Sequence, residues 1–219
     1  MTATPPARTA LPGRLVELRP MEPGDLPGLA NALRRPEVFA GGYGGGAAGL
    51  PAGDEAFIDW AAAYYAVGEH GIAWTVRLAA GPDAGTIVGA TKLGDVELAR
   101  EHVHLGWTAY DPRVWGSGVN VETKLLLIGH AFAHGFGKLR LQADARNTRS
   151  RGAIERLGAT PEGVLRRDQR RADGTWRDSA VYSILAEEWP AVRAGLETRL
   201  AGLPAPVVLA ERWSPSVDR

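Results

Sequence analysis

The chain has 219 residues, and its 25 basic and 25 acidic side chains give a formal net charge of zero at pH 7. This balance does not favour a nucleic-acid or membrane partner, since both attract proteins that carry a basic excess. The sequence has no cysteine, which excludes a disulfide framework, a thiolate metal site and a cysteine nucleophile.

The sequence predicts one domain with an extension at each end. Residues 1–12, which contain Pro5-Pro6, are expected to form a flexible N-terminal tail without the hydrophobic core of a signal peptide. Residues 13–200 are expected to form a single domain, and residues 201–219 an extended C-terminal arm. Because no apolar run is long enough to cross a bilayer, we expect a cytoplasmic protein, and its exposed sheet edges and arm permit a homodimer.

Apolar periodicity and turn residues predict an α/β fold in which strands are flanked by helices. The predicted elements, in chain order, are a strand over 14–19, helices over 25–33 and 54–67, a hairpin of 73–78 and 86–93, a strand over 102–110, a helix from 119, a strand over 139–145, a short helix from 147 or 148 to 158, a strand pair of 164–168 and 179–185, and a helix over 187–200.

The glycine-rich segment over 41–49 has two interpretations. Glycine at this density leaves the backbone nearly unrestrained, so a plain linker is slightly favoured over a mobile lid in which Tyr43 meets the substrate. The helix that follows places aromatic residues on one face, and these are expected to be core rather than ligand contacts. Trp60 on that face is kept with Tyr43 as a candidate substrate contact.

The segment over 113–120 lies between a predicted strand and a predicted helix, and it suits an anion. Gly116 and Gly118 allow positive φ, so several backbone N–H groups can point into one concavity next to the positive end of a helix dipole. A tight turn without a ligand is the alternative. In the helix, Val121, Leu125, Ile128 and Phe132 are expected to form the apolar face, with Glu122, Lys124 and His130 elsewhere.

Arg113-x-x-Gly116-x-Gly118 resembles the pyrophosphate loop of the GNAT acetyltransferase superfamily. The run over 144–159 is similar to the strand and helix that follow in the Rim-type branch, whose best-known members acetylate ribosomal-protein N-termini. The resemblance spans roughly 13–189, and its later matches are Glu162-Gly163, Asp173-Gly174, Arg177-Asp178 and Tyr182-Ser183-Ile184.

This resemblance implies a mixed, mostly antiparallel central sheet flanked by helices. It also implies acetyl-CoA as co-substrate, no metal, and direct attack by a primary amine of a protein N-terminus, an amino acid or a small molecule. The pantetheine arm would pair with the strand at Trp107, Thr108 and Ala109. The implied pyrophosphate loop consists of Arg113, Val114, Trp115, Gly116, Ser117, Gly118, Val119 and Asn120.

The general base is where the sequence departs from the Rim-type pattern. His104 occupies the strand position where those relatives carry an acid, and histidine titrates near neutrality, so it is a candidate base. A partly buried, hydrogen-bonded strand histidine is the equal alternative. Glu97, with Asp95, is the second candidate base, although two acids in a polar loop are usually solvated.

Two polar residues near the start of the short helix are further candidates. The resemblance implies that Asn147 bonds the cofactor arm and that Ser150 lies near the sulfur, where its hydroxyl can stabilise a developing thiolate. Capping of the helix explains the same residues without a ligand. Tyr182 is expected to be a packing residue.

Arginine is concentrated over 146–177, with nine arginines against four acids. This excess of positive charge suits binding to the phosphates of coenzyme A or to an acidic acceptor. For the arginines over 166–171, exposure to solvent on one face of a hairpin is more common than ligand binding. The leading hypothesis is therefore an acetyl-CoA-dependent N-acyltransferase. The alternatives are an inactive coenzyme-A-binding sensor or assembly domain, and an enzyme for a bulkier acyl group such as succinyl, which a basic residue near the acyl pocket would favour.

Overall fold

A computed structural model describes residues 2–66 and 72–209, and its eight strands form one mixed sheet. The strands are β1 (Leu11–Pro12), β2 (Val16–Pro20), β3 (Ile72–Leu78), β4 (Ile87–Glu97), β5 (His102–Tyr110), β6 (Lys138–Asp144), β7 (Thr160–Arg170) and β8 (Trp176–Leu185). The helices are α1 (Leu26–Leu33), α2 (Pro36–Ala40), α3 (Asp54–Tyr65), α4 (Val119–Ala133), α5 (Thr148–Glu155) and α6 (Trp189–Ala201). The sheet order is β1-β2-β3-β4-β5-β6-β8-β7.

The centre of the sheet is where β5 meets β6. Every other neighbouring pair is antiparallel, whereas β5 and β6 are parallel, because α4 connects them as a crossover. Their pairing is short: His102–His104 of β5 lies against Lys138–Arg140 of β6. Beyond these residues the two strands separate, although β5 stays paired with β4 as far as Tyr110. The separation opens a cleft at the middle of the sheet.

Two hydrophobic cores lie on opposite faces of the sheet. Leu29, Phe39 and Phe57, from α1, α2 and α3, pack on one face. Leu127 of α4 and Leu196 of α6 pack on the other face against the middle strands. The layered α/β fold with a mostly antiparallel sheet is therefore confirmed.

Helix α4 differs from the prediction in which side chains it buries. Glu122 and Lys124 are 5% and 6% exposed, whereas Leu125 and Phe132 are only partly buried. The expectation that Glu122 and Lys124 lie away from the buried face was wrong. Lys124 is three residues after Val121 and four before Ile128, so helical spacing already put it on the buried side.

The described residues near both ends of the chain pack on the domain. Ala3 is buried, the Thr4 N–H donates to the His134 carbonyl at 2.9 Å, and the Trp74 indole donates to the Thr9 carbonyl at 3.0 Å. The segment expected to be a flexible tail thus lies along α4 and β3. At the other end, Val207 is buried, and the predicted arm over 210–219 lies outside the described residues.

Several element boundaries differ from the predictions: β1 was not predicted, β8 begins at Trp176 and not at residue 179, and α5 ends at Glu155 and not at residue 158. Pro36 was expected only to end α1, but it also begins α2, where the missing N–H of proline costs no hydrogen bond. Strand β7 is longer than predicted because a register shift between Leu165 and Gln169 lets pairing resume beyond it. The predicted end of α3 at residue 67 lies outside the described residues. None of the described helices is long and apolar enough to cross a membrane.

Candidate active site

The gap between β5 and β6 is a cleft of about 540 Å³, called here the main cleft. Its walls are β5 from Leu105 to Tyr110, β6 from Leu141 to Asp144, the turn that precedes α4, and α5. Trp107, Thr108 and Ala109 all line it, as do Asn147 and Ser150. The separated strands thus bring the predicted pantetheine strand and the predicted α5 residues to one space.

The segment over 113–120, which forms the turn before α4 and the first two residues of that helix, contributes five of its eight residues to the main cleft. These are Val114, Trp115, Gly116, Ser117 and Asn120. Gly116 has a φ of +78°, and no atom outside its chain neighbours would lie within 4 Å of a Cβ placed there. A glycine is required at this position by the backbone, and its open side faces the cleft.

Arg113, Gly118 and Val119 do not line the main cleft. The Arg113 guanidinium binds the buried Asp111 carboxylate, with Nη2 at 2.7 Å, and the same carboxylate accepts the Arg113 backbone N–H. Gly118 faces the core, where a side chain would collide with Leu15, and Val119 is buried. The structure therefore places Arg113 as a brace of the turn, with its side chain turned away from the concavity.

The outer end of the main cleft is basic. The Arg149 guanidinium lies 3.8 Å from the centre of the Trp115 ring, and Arg156 and Arg199 also line the cleft. Arg199 Nη1 donates to the Arg156 carbonyl at 2.9 Å, which holds α6 against α5. Cations and the N-terminus of α4 thus face one region, as a polyanionic group requires.

Strand β5 carries a bulge where it borders the cleft. Its pairing with β4 shifts register between Ala90 and Lys92, and Trp107 has a φ of +50°. The Tyr65 hydroxyl donates to the Trp107 carbonyl at 3.1 Å, and the Tyr43 and Tyr65 hydroxyl oxygens are 2.6 Å apart. Burial raises the pKa of both tyrosines, so this chain of hydroxyls stays protonated and holds the bulge.

Asn147 caps α5, as the alternative interpretation predicted. Its Oδ1 accepts the Ser150 N–H at 2.9 Å, and its Nδ2 donates to the Gly41 carbonyl. Both ends of the amide are therefore used within the protein. Ser150 lines the main cleft, and a ligand role for either residue stays a prediction.

Lys124 brings a buried amine to the main cleft. Its Nζ donates to Thr108 Oγ1 at 2.9 Å, and none of the described residues forms an ion pair with it. Burial without a counter-charge lowers the pKa of Lys124 to about 7 from an ordinary 10.5. The amine is therefore partly neutral at physiological pH.

His104 and Asp95 form a pair on the neighbouring strands β5 and β4. His104 is 4% exposed, and its Nδ1 is 3.0 Å from Asp95 Oδ2. This hydrogen bond lowers the pKa of Asp95, so at neutral pH the carboxylate can only accept, and Nδ1 carries the proton. The free lone pair of the neutral ring is then on Nε2.

His104 Nε2 is buried and has no hydrogen-bond partner among the described residues. It lies beside Gly106, where a Cβ would approach it to 2.8 Å. An unpaired buried acceptor costs free energy unless a ligand or water satisfies it. The structure thus brings His104 to the site with an atom suited to accept a proton.

His104 lines a second cleft of about 440 Å³, called here the side cleft, which adjoins the main cleft along Gly106 and Trp107. Its other walls are the glycine-rich loop and the turn between β7 and β8. The loop is not a plain linker. Ala172 donates its N–H to the Gly45 carbonyl at 3.1 Å, and Tyr43 packs edge-on against Phe39.

Besides Arg113, Gly118 and Val119, two further predicted site residues, Glu97 and Trp60, lie outside both clefts. Glu97 is at the end of β4 and pairs with Arg100 at the surface, with Oε2 and Nη1 3.4 Å apart. Trp60 stacks on Tyr64, with ring centres 4.6 Å apart, so Trp60 supports a wall that Tyr64 forms. Tyr43 does line the main cleft.

Sequence reasoning missed that Tyr64 and Lys124 line the clefts, and that Asp95, offered as a base together with Glu97, instead pairs with His104. Lys124 was detectable, because it interrupts an apolar helical face. The pairing of Asp95 was not, because it faces His104 only through a bulge of β4 between Gly94 and Glu97, where Asp95 has a φ of +47°. Over residues 2–66 and 72–209, no group of three or more His, Asp or Glu side chains is arranged to hold a metal ion.

Comparisons with known proteins agree with this geometry. A family model described as an acetyltransferase (GNAT) domain matches residues 15–160. A structure from T. thermophilus, provisionally assigned as an acetyltransferase, is 33% identical, with 91% of this chain and 100% of that chain covered and a TM-score of 0.75.

Two further solved structures share the fold at lower identity. A GCN5-related N-acetyltransferase from Brucella melitensis is 23% identical, with 92% and 89% of the two chains covered and a TM-score of 0.82. Mycobacterium smegmatis RimJ in complex with CoA-disulfide is 21% identical, with 84% and 88% covered and a TM-score of 0.66. No protein with a curated function matches the sequence.

The fold and the main cleft define an N-acetyltransferase of the acyl-CoA-dependent kind. The chain belongs to the GNAT acetyltransferase family.

Proposed function

We propose that this enzyme transfers the acetyl group of acetyl-CoA to a primary amine and that it belongs to the Rim-type branch. The observation that carries the proposal is the meeting of two clefts. The main cleft leads from a basic helix N-terminus to the bulge of β5, and the side cleft reaches the unpaired Nε2 of His104 at the same bulge.

The residues of the main cleft fit acetyl-CoA, which supplies the acetyl thioester when bound. Gly116, Ser117 and Asn120 would hold the pyrophosphate at the start of α4, where unpaired N–H groups and the helix dipole attract anions. The edge of β5 that β6 leaves unpaired beyond His104 would hold the pantetheine arm by backbone hydrogen bonds.

His104 is the general base of this proposal. As the amine nitrogen bonds to the acyl carbon and the carbon–sulfur bond breaks, Nε2 takes the proton that the amine loses. Asp95 holds the ring with Nε2 free to accept, because the carboxylate accepts the Nδ1 hydrogen. Ser150 lines the main cleft, and its hydroxyl would donate a hydrogen bond that stabilises the leaving thiolate.

Succinyl-CoA is a second candidate donor because of Lys124. Its amine lies in the main cleft without a carboxylate partner among the described residues, so it can pair with a carboxylate on the acyl group. Turnover with acetyl-CoA and with succinyl-CoA, measured on the same amine, decides between the donors.

The affinity of the Asn120→Asp variant for acetyl-CoA tests the proposed pyrophosphate site. The change preserves the shape of the side chain and adds a negative charge at the N-terminus of α4. This charge interacts favourably with the helix dipole but repels a pyrophosphate. We expect calorimetry to show binding by the wild type and roughly ten-fold or greater weakening in the variant.

The matched control is Asn31→Asp, the same substitution on the exposed face of α1. Its acetyl-CoA affinity should equal that of the wild type. No binding of any acyl-CoA by the wild type would reject the proposal, and equal affinity of Asn120→Asp would reject the assigned phosphate position. An inactive sensor domain would bind acetyl-CoA and turn over no amine.

A further inference from the structure

The side cleft carries an excess of positive charge that the acetyl transfer does not use. Three arginines line it, and the single carboxylate among its walls is Asp144. Asp144 Oδ2 is 2.6 Å from Arg171 Nη2, so these two neutralise each other. Arg170 and Arg177 form no ion pair with any described residue.

Among the three arginines of the side cleft, Arg177 is the one with a buried Nε that has no hydrogen-bond partner among the described residues. Its Nη1 donates to Gln169 Oε1 at 3.1 Å. Burial also lowers the pKa of Arg177, while the nearby carboxylates of Asp144 and Asp168 act in the opposite direction. Because a guanidinium has five donors and stays charged in proteins, this arrangement is costly unless an anion completes it.

Other arginines of the same region have different surroundings. Arg151 Nε donates to the Tyr182 hydroxyl, and Arg149 stacks on Trp115 at the outer end of the main cleft. Arg166 is exposed and lines neither cleft. Among the nine arginines over 146–177, Arg177 is the one that lines both clefts, near the bulge of β5.

The sheet register sets how far Arg177 lies from the reacting centre. Strand β6 lies between β5, which carries His104, and β8, which carries Arg177. Ser183 of β8 is level with His104 in the register, two strand spacings or about 10 Å away, and Arg177 lies six residues before Ser183. The separation is therefore larger than two strand spacings, and the arginine side chain spans part of it. An anion held by Arg177 is therefore several bonds away from an amine that reacts at the bulge of β5.

We propose that the acceptor of this enzyme carries a carboxylate several bonds from its reactive amine and that Arg177 binds this carboxylate. The inference rests on the proposed acetyl transfer. Plain alkylamines lack the anion, and in glycine the carboxylate is adjacent to the amine carbon. Longer ω-amino acids and short peptides satisfy both conditions.

The test uses acetyl-CoA and a series of acceptors from glycine to 6-aminohexanoate, each compared with its uncharged amide. For the wild type we expect kcat/KM to favour the acid over its amide by roughly ten- to hundred-fold in the longer members, mainly through KM. Arg177→Gln should bring this ratio close to one, whereas the matched variant Arg166→Gln should keep it.

The outcomes separate the possible sources of the anion. Equal kcat/KM for acids and amides in an enzyme that acetylates them would overturn the inference and leave the proposed function intact. If Arg177→Gln instead abolishes use of succinyl-CoA with a plain alkylamine, the carboxylate belongs to the acyl group, and the acceptor assignment is wrong. Failure of the wild type to bind acetyl-CoA would reject the proposed function itself.

Discussion

At the scale of single residues, the candidate base depends on the backbone conformation of Asp95 and on the missing side chain of Gly106. Asp95 reaches His104 because a bulge in β4 puts it at a φ of +47°, a conformation that Asp adopts more readily than most residues. Gly106 leaves space beside His104 Nε2, which any side chain would fill. Both features are local to the strand pair, yet they decide whether Nε2 is free to accept a proton.

Asp95→Asn tests the positioning role of the carboxylate. An amide can present its own N–H to Nδ1 and so stabilise the wrong tautomer, with the proton on Nε2. We expect kcat to fall by roughly ten- to hundred-fold with little change in acetyl-CoA affinity.

A double-mutant comparison makes this prediction specific. If Asp95 acts through the imidazole, adding Asp95→Asn to His104→Gln should cost little more than His104→Gln alone. Glu97→Gln, at the exposed acid two residues on, should keep near-normal turnover. A large loss in Glu97→Gln with normal turnover in His104→Gln would transfer the base role to Glu97.

At the scale of elements, α4 is joined to the sheet by a buried carboxylate as well as by apolar packing. Glu122 Oε1 accepts the Arg14 N–H at 2.8 Å, and Oε2 accepts the N–H groups of Leu15 and Val16 at 2.6 and 2.7 Å. These bonds hold the start of β2 against the first turns of the helix that borders the main cleft. Glu122 thus has a structural role on the same helix that presents Asn120.

Glu122→Gln should destabilise the protein by about 3 kcal/mol, because the amide has one acceptor oxygen and turns an N–H₂ group toward backbone donors. Urea unfolding at pH 7, with the slope checked for constancy, measures the change. Glu55→Gln, an exposed glutamate in the first turn of α3, is the control and should change stability by less than about 0.5 kcal/mol. Similar changes in the free energy of unfolding for the two variants would contradict the structural role of Glu122.

At the scale of the whole molecule, the cleft through the sheet carries a cost in stability. Lys124 lies in the gap without a carboxylate partner among the described residues, and its amine has a single protein acceptor, Thr108 Oγ1. The fold tolerates this buried amine because two cores on opposite faces of the sheet stabilise the remainder of the domain.

Lys124→Met should stabilise the ligand-free protein in a pH-dependent way. The pKa of Lys124 is about 7 in the folded state against an ordinary 10.5, so between these values the unfolded chain binds more protons, and wild-type stability rises with pH. The gain from the substitution should be largest below pH 7, roughly 2–4 kcal/mol, and should shrink toward pH 10.

Unfolding free energies of both proteins at pH 6, 8 and 9.5 measure this difference. Lys138→Met is the comparison, since Lys138 lies at the surface and pairs with Glu162 at 2.8 Å. A gain for Lys124→Met that does not vary with pH would mean that the Lys124 amine keeps its ordinary pKa in the fold.

The sequence alone determined the elements and the order of the motifs. Strand β5 and the start of α4 at Val119 lie where they were predicted, because alternation, Asp111-Pro112 and the paired glycines are local signals. The phosphate-suited turn before α4 follows from the same signals, and so does the cap that Asn147 provides for α5.

Only the tertiary structure decided what the side chains near those motifs do. Arg113 braces the turn through Asp111, Lys124 is buried in the main cleft, Asp95 faces His104, and Arg177 borders both clefts. Each of these depends on which strands are neighbours, where a bulge shifts register, and where β5 and β6 separate. Those are contacts between segments far apart along the chain, and a local pattern carries no signal for them.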